Sequence, residues 1–125
     1  MARTPLHQAA VHGSVRAVID EGFDVNETDA DGLTPLHMAC INKNYGGAEE
    51  LLEAGARVDP QDKWGNTPLN RAVFEHDSAN LVRLLVDHGA DPTIANHYGH
   101  SPLSEATRHR QDGYLAVFER SRPAG

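Results

Sequence analysis

Apolar side chains recur along this chain in short helical runs separated by polar clusters. Leu36, Ala39 and Cys40 fall at i, i+3 and i+4, a narrow stripe of small residues over about two helical turns. Thr34 precedes Pro35. A residue before proline is pushed out of the α region, and proline suits the first helical position, so Thr34 reads as the N-cap of this helix. After a polar break at Asn42–Asn44, Ala48, Leu51 and Leu52 form a second stripe, closed by Gly55, which can take the left-handed conformation that ends helices. Glu49, Glu50 and Glu53 lie off that stripe and are expected to face water. The next stretch, ARVDPQDKWGN, has turn signals and no helical period, which predicts a projecting loop or hairpin. The unit is helix, helix, loop.

The pattern returns along the chain. TPLHQAA begins at Thr4, TPLHMAC at Thr34, TPLNRAV at Thr67 and SPLSEAT at Ser101, at steps of 30, 33 and 34 residues. A period near 33 marks an array of supersecondary units rather than a single globular core. The expected units cover 1–31, 32–64, 65–98 and 99–120, within one domain spanning 1–125 and with a frayed tail at 121–125. The helix-ending glycines Gly22, Gly55 and Gly89 follow the Thr by 18, 21 and 22 residues. The first unit has therefore lost about one turn of its second helix, and the third carries one extra residue between its helices. The fourth keeps Leu103, Ala106, Leu115, Val117 and Phe118 for the interior and fills the rest with charge, as an end unit must when nothing stacks on its outer side.

Composition narrows the picture. Of the 125 residues 39% are hydrophobic but only 6% aromatic, which suits thin layers of Ala, Leu and Val. A single cysteine, Cys40, allows no internal disulfide and no Cys-based zinc site within one chain, and points to a reducing, cytoplasmic setting. No apolar stretch approaches the roughly 18 residues a membrane span needs, and no signal-like segment opens the chain, so a soluble protein with no membrane partner is expected. The formal charge of −7 lies wholly in residues 1–62, where 4 Lys+Arg stand against 11 Asp+Glu; residues 63–125 balance at 7 against 7.

These motifs resemble ankyrin repeats, whose signature is T-P-L-H-x-A at a period of 33. Two copies match it outright, Thr4-Pro5-Leu6-His7-Gln8-Ala9 and Thr34-Pro35-Leu36-His37-Met38-Ala39; Asn70 and Ser104 replace the histidine in the other two. Asp-x-x-Gly appears at Asp29–Gly32 and Asp62–Gly65, with Asn96–Gly99 as a variant, and Gly-Ala follows the second helices at Gly55-Ala56 and Gly89-Ala90. The resemblance covers nearly the whole chain. It implies an all-α solenoid of four helix-turn-helix units with β-hairpin-like loops, and structural roles for His7 and His37, whose rings tie one loop to the next. Losing that ring at Asn70 and Ser104 implies a looser stack toward the C-terminus. Lys43 stands where the family favours glycine between the helices of a unit.

The resemblance also implies where function sits: a concave surface of loop tips and exposed sides of first helices that binds a protein partner, with no catalytic residues and no cofactor. Its variable positions here include His12, Asp31, Leu33, Ile41, Lys63, Trp64, Phe74, Glu75, His97, Tyr98, His100 and Arg108. Trp64 is the only tryptophan, and Trp and Tyr are frequent interface anchors. Trp64, Phe74 and Tyr98 are read as the centre of a binding patch; the alternative is that Trp64 and Phe74 pack the third unit's loop onto its own first helix. The acidic run at residues 20–31, with Asp29 and Asp31, is expected either to be a solvated loop or to steer a basic partner, and its field disfavours nucleic acid. His97, His100 and His109 lack the spacing of a metal or catalytic motif. The expected protein is a monomeric, non-enzymatic protein-binding module. A narrower alternative is a small inhibitor or immunity-type protein covering the active site of a basic enzyme such as a nuclease toxin.

Overall fold

The computed structural model describes residues 4–11, 13–74 and 78–120. The expected surface positions His12 and Glu75 and the expected tail at 121–125 lie outside the described residues. Among the described residues eight helices come in four pairs: α1 (Pro5–Ala9) with α2 (Arg16–Asp20), α3 (Pro35–Ile41) with α4 (Tyr45–Glu53), α5 (Pro68–Phe74) with α6 (Ala79–Asp87), and α7 (Pro102–Arg108) with α8 (Asp112–Arg120). The first helices pack in the row α1, α3, α5, α7, and the second helices in the row α2, α4, α6, α8. The result is an all-helical solenoid, two helices deep.

Each first helix starts from the same device. The hydroxyls of Thr4, Thr34, Thr67 and Ser101 accept from the backbone N–H three residues on, at 3.3, 3.2, 3.1 and 3.0 Å. A capped start of this kind contributes about 1 kcal/mol. Behind the cap, Leu6, Leu36 and Leu69 are fully buried, and each such side chain stabilises the stack by roughly 1.5–3 kcal/mol. The helices of a unit are too short to hold on their own, so this shared burial is what keeps them helical. In the end unit Leu103 and Leu115 are only partly buried and line a cleft of about 520 Å³ with Phe118, so they form the edge of the core rather than its interior.

The first unit's second helix is indeed the short one, five residues against nine in α4, α6 and α8. Its start is held from the next unit: the Glu50 carboxylate accepts from the Val15 N–H at 2.8 Å and from the Ser14 hydroxyl at 3.0 Å. This corrects the expectation that Glu50 merely faces water. Those bonds, the Val15 N–H first, hold the Glu50 carboxyl below the ordinary carboxylate range.

No strand is present among the described residues; the loops are tight turns instead. Asp29, Asp62 and Asn96 each accept two backbone N–H groups on Oδ1, two and four residues ahead. The backbone of each turn closes from Asp29 N–H to Leu33, Asp62 N–H to Asn66 and Asn96 N–H to His100. Successive turns are linked by Lys63 N–H to the Asp31 carbonyl and His97 N–H to the Trp64 carbonyl, both at 2.9 Å. Gly65 is required here twice over: its φ is +82°, and a Cβ would lie 2.8 Å from the His97 nitrogen.

Candidate protein-binding surface

The turns and the first helices that follow them place most of the expected site residues on one face. Lys63 and Trp64 form the tip of the middle turn. The Lys63 ammonium lies 4.8 Å from the Trp64 ring and pairs with the Asp31 carboxylate of the preceding turn at 3.2 Å. The Arg71 guanidinium, from α5, lies 5.5 Å from the same ring and donates to Asp62 Oδ2 through both Nε and Nη2, at 3.1 and 2.7 Å. Trp64 is thus half-buried, in contact with one cation from its own turn and one from the helix behind it. Cation–π contacts of this kind contribute about 0.5–1 kcal/mol each. They anchor the turn to α5 and present a ring of fixed orientation.

The other two aromatics of the expected patch are more open. Tyr98, at the tip of the last turn, is 71% exposed, and Phe74, the last residue of α5, is 47% exposed. Among the described residues no ring–ring contact joins Trp64, Phe74 and Tyr98. His97 is exposed beside Tyr98, its ring over Gly65. Ile41, at the α3 position that corresponds to Phe74, is half-buried against the core.

Two expected contact residues are committed inside the protein. Leu33 is 5% exposed, so its side chain belongs to the core, and the correction has a plain cause: its carbonyl accepts the His7 ring at 2.6 Å, which draws the residue under the first unit. Asp29 uses its carboxylate to build its own turn. The remaining two, His100 and Arg108, meet at a residue that the repeat pattern did not single out. Glu105 is buried, and its carboxylate faces His100 Nδ1 at 2.7 Å, Arg108 Nη2 at 3.1 Å and His109 Nε2 at 3.4 Å. Aligning the units does hold a signal for it: Glu105 occupies the α7 position that Arg71 takes in α5, where a charged side chain also turns back toward its own turn.

Among the described residues no three His, Cys, Asp or Glu side chains are grouped to hold a metal, and no helix is long and apolar enough to cross a membrane. Cys40 is fully buried, and that burial pushes its thiol far above its usual range, leaving it unreactive.

The same period, caps and turns define a known family. The family described as Ankyrin repeats (3 copies) matches residues 1–62 and 48–119. The chain belongs to the ankyrin-repeat family. It is similar to the mouse Ankyrin repeat and SOCS box protein 16, 35% identical over 120 residues, which cover 87% of this chain and 26% of that protein. It is similar also to the mouse B-cell lymphoma 3 protein homolog, 35% identical over 84% of this chain and 25% of that protein, and to Serine/threonine-protein kinase 12 of Arabidopsis thaliana, 37% identical over 65% of this chain and 17% of that protein. The chain spans about a quarter or less of the length of these relatives. Ankyrin repeats generally mediate protein–protein interaction, and the turn and first-helix face described above offers exposed aromatic and charged side chains.

Proposed function

We propose that this ankyrin array is a non-enzymatic binding module that grips a partner protein on its turn and first-helix face, with Tyr98, Phe74 and Trp64 as apolar anchors. The observation that carries this reading is the exposure of Tyr98 and Phe74, since the described repeats already bury their Leu and Ala stripes without them. Large rings held on fixed turns are favourable anchors, because they bury much area for little loss of rotamer freedom. A Phe74→Ala/Tyr98→Ala chain should keep its melting temperature and weaken capture of the partner by about 2 kcal/mol, roughly thirtyfold in Kd. Affinity capture from source-cell lysate with mass spectrometry, followed by titration of the captured protein, measures it. Equal binding by both chains would move the site elsewhere.

A second reading concerns what the binding does. Asp20, Glu21 and Asp24 are exposed at the end of α2 and in the following loop. Such a cluster favours a partner with a basic patch, and occluding a cationic substrate groove would make the module a cytoplasmic inhibitor of a basic enzyme. Asp20→Lys/Glu21→Lys places cations at a helix C-terminus, where they suit the dipole, so the fold should hold. If the reading is right, partner affinity falls with this reversal and with raised salt. Affinity indifferent to both would remove it.

A further inference from the structure

The cleft of about 520 Å³ in the end unit lies apart from the turn tips: its walls are the end of α6, the loop that follows, α7 and α8. Its floor is apolar, from Val86, Ala90, Pro92, Leu103, Leu115 and Phe118. At the place of Leu103 the other three units carry the fully buried Leu6, Leu36 and Leu69, and at the place of Leu115 the second and third carry the fully buried Ala48 and Val82. In those two units the loop after the second helix packs Ala56, Val58 and Ala90 against the core. An extended piece of polypeptide is therefore the shape that suits this side of a unit. The charged side chains on the rim, Asp91 and Glu119, are exposed acids, and among the described residues neither has an ion-pair partner. The Asp59 carboxylate adds a third acid, 3.2–3.3 Å from the Asp91 N–H.

We propose that this cleft docks an extended segment of a partner protein, which sets a leucine-sized apolar side chain on Leu103 and Leu115 and a neighbouring lysine or arginine against Asp91 and Glu119. The inference goes beyond the turn and first-helix face and uses none of its aromatic anchors. Covering Leu103 and Leu115 is favourable in proportion to the apolar area removed from water. The cleft falls within the range of roughly 300–1,000 Å³ that binding pockets occupy, ample for one or two large side chains. A basic neighbour fixes which segment fits, because an acid there would face two unpaired carboxylates. Residues 121–125 of the chain itself offer only Pro123 and Ala124 as apolar side chains, shorter than this volume admits, so the occupant comes from another protein.

Titration of the isotope-labelled full chain with the end-blocked peptide Lys-Leu-Leu-Lys, followed by methyl and amide NMR shifts, tests this, with Glu-Leu-Leu-Glu and Lys-Ser-Ser-Lys as counter-probes. The expected result is saturable shifts at the Leu103 and Leu115 methyls and at amides 89–93, with a weak response to either counter-probe. Affinity should fall about fivefold in Asp91→Asn/Glu119→Gln, as loss of exposed ion pairs gives. Leu115→Gln should weaken the response as well; if it lowers the melting temperature, the charge variant, made at exposed sites, still decides. No saturable shift at the cleft, an equal response to Glu-Leu-Leu-Glu, or affinity unchanged in the charge variant would overturn the proposal. So would a response seen only in Arg122→Ser/Pro123→Ser, which would give the cleft to the chain's own residues 121–125, or cleft shifts on concentrating the chain alone, which would give it to a second copy. Phe74→Ala/Tyr98→Ala should leave the peptide response intact, so the binding face and the cleft fail separately.

Discussion

The junctions in the first half of the stack and those in the second half are built from the same positions with different side chains, and the contacts differ accordingly. His7 and His37 each bridge to the next turn, Nε2 to the Leu33 carbonyl at 2.6 Å and Nε2 to the Asn66 carbonyl at 2.7 Å, while Nδ1 of each stays on its own capping threonine. Asn70, at the same place in α5, has a shorter side chain. Its amide reaches the Ile94 carbonyl at 3.3 Å, and its buried Oδ1 has no partner among the described residues. Ser104, shorter still, bonds back to Ser101 within its own unit. The loops behind the second helices repeat the contrast. Asn26 Oδ1 accepts from the Arg57 N–H at 2.8 Å, whereas one unit on the Asp59 carboxylate accepts from the Asp91 N–H at 3.2–3.3 Å.

The C-terminal half is held by other means. The Asn96 amide donates to Asn66 Oδ1 at 2.9 Å, and the Ser78 N–H donates to the Tyr114 hydroxyl at 3.3 Å, which brings a buried tyrosine of α8 onto the start of α6. Reach explains the difference. A histidine ring spans from its own cap to the neighbouring turn, and replacing it by a smaller group shifts the tie to whichever element lies closer.

This contrast can be broken most sharply at its strongest member. His37→Ala removes a fully buried ring together with its bonds to the Asn66 carbonyl and the Thr34 hydroxyl, so it should cost about 3 kcal/mol; Asn70→Ala, which gives up one long bond and one unpartnered oxygen, should cost less than about 1 kcal/mol. Urea unfolding of the two variants compares them. Equal losses would mean that the histidine tie is not what separates the halves.

Acid offers a milder perturbation of the same junction. Burial, the larger effect, holds His37 below the ordinary histidine range despite its bond to Asn66, so the folded state keeps this ring neutral where the unfolded chain would protonate it. The sign follows: its contribution is complete above about pH 6.5 and is lost as pH falls through the lowered folded value. Thermal melts from pH 7.5 to 5 should show that decline, and Thr34→Ala should not abolish it, because the ring would remain buried.

The smallest effect is expected at the loop rung. Burial raises the Asp59 carboxyl above its usual range, with the neighbouring Asp91 charge adding to it and the Asp91 N–H opposing. A raised carboxylate subtracts stability above its unfolded value and returns it on acidification. Asp59→Asn, which copies the Asn26 rung, should therefore gain a few tenths of a kcal/mol at pH 7 and nothing at acid pH. A loss at neutral pH would show that the longer rung needs its charge.

Much of the architecture was legible residue by residue. Thr34 before Pro35, the stripe of Ala48, Leu51 and Leu52, and Gly55 at φ +97° are local facts of conformation and periodicity, and the structure carries each of them out. Lys43 adopts φ +55° at the position expected to favour glycine, as Arg110 does in the last unit. What local rules could not reveal was the fate of side chains whose partners lie a whole unit away. Glu50 looked like a solvated residue on an outer helix and proves to cap α2 from 35 residues along the chain. Leu33 looked like a turn residue open to a partner and is buried under the unit before it. Trp64 was legible as an unusual turn residue, but only its neighbours show how the ring is held.

Taken alone, the chain's order of residues determined the number of layers, where each helix begins and which face of it is apolar, because caps, prolines, glycines and the 3.6-residue period act within a few bonds. The stacking of those layers decided which charges are used up inside and which remain to meet a partner. The Glu50 bond to the Val15 N–H and the pairing of Lys63 with Asp31 depend on distances between units that no short stretch of sequence encodes.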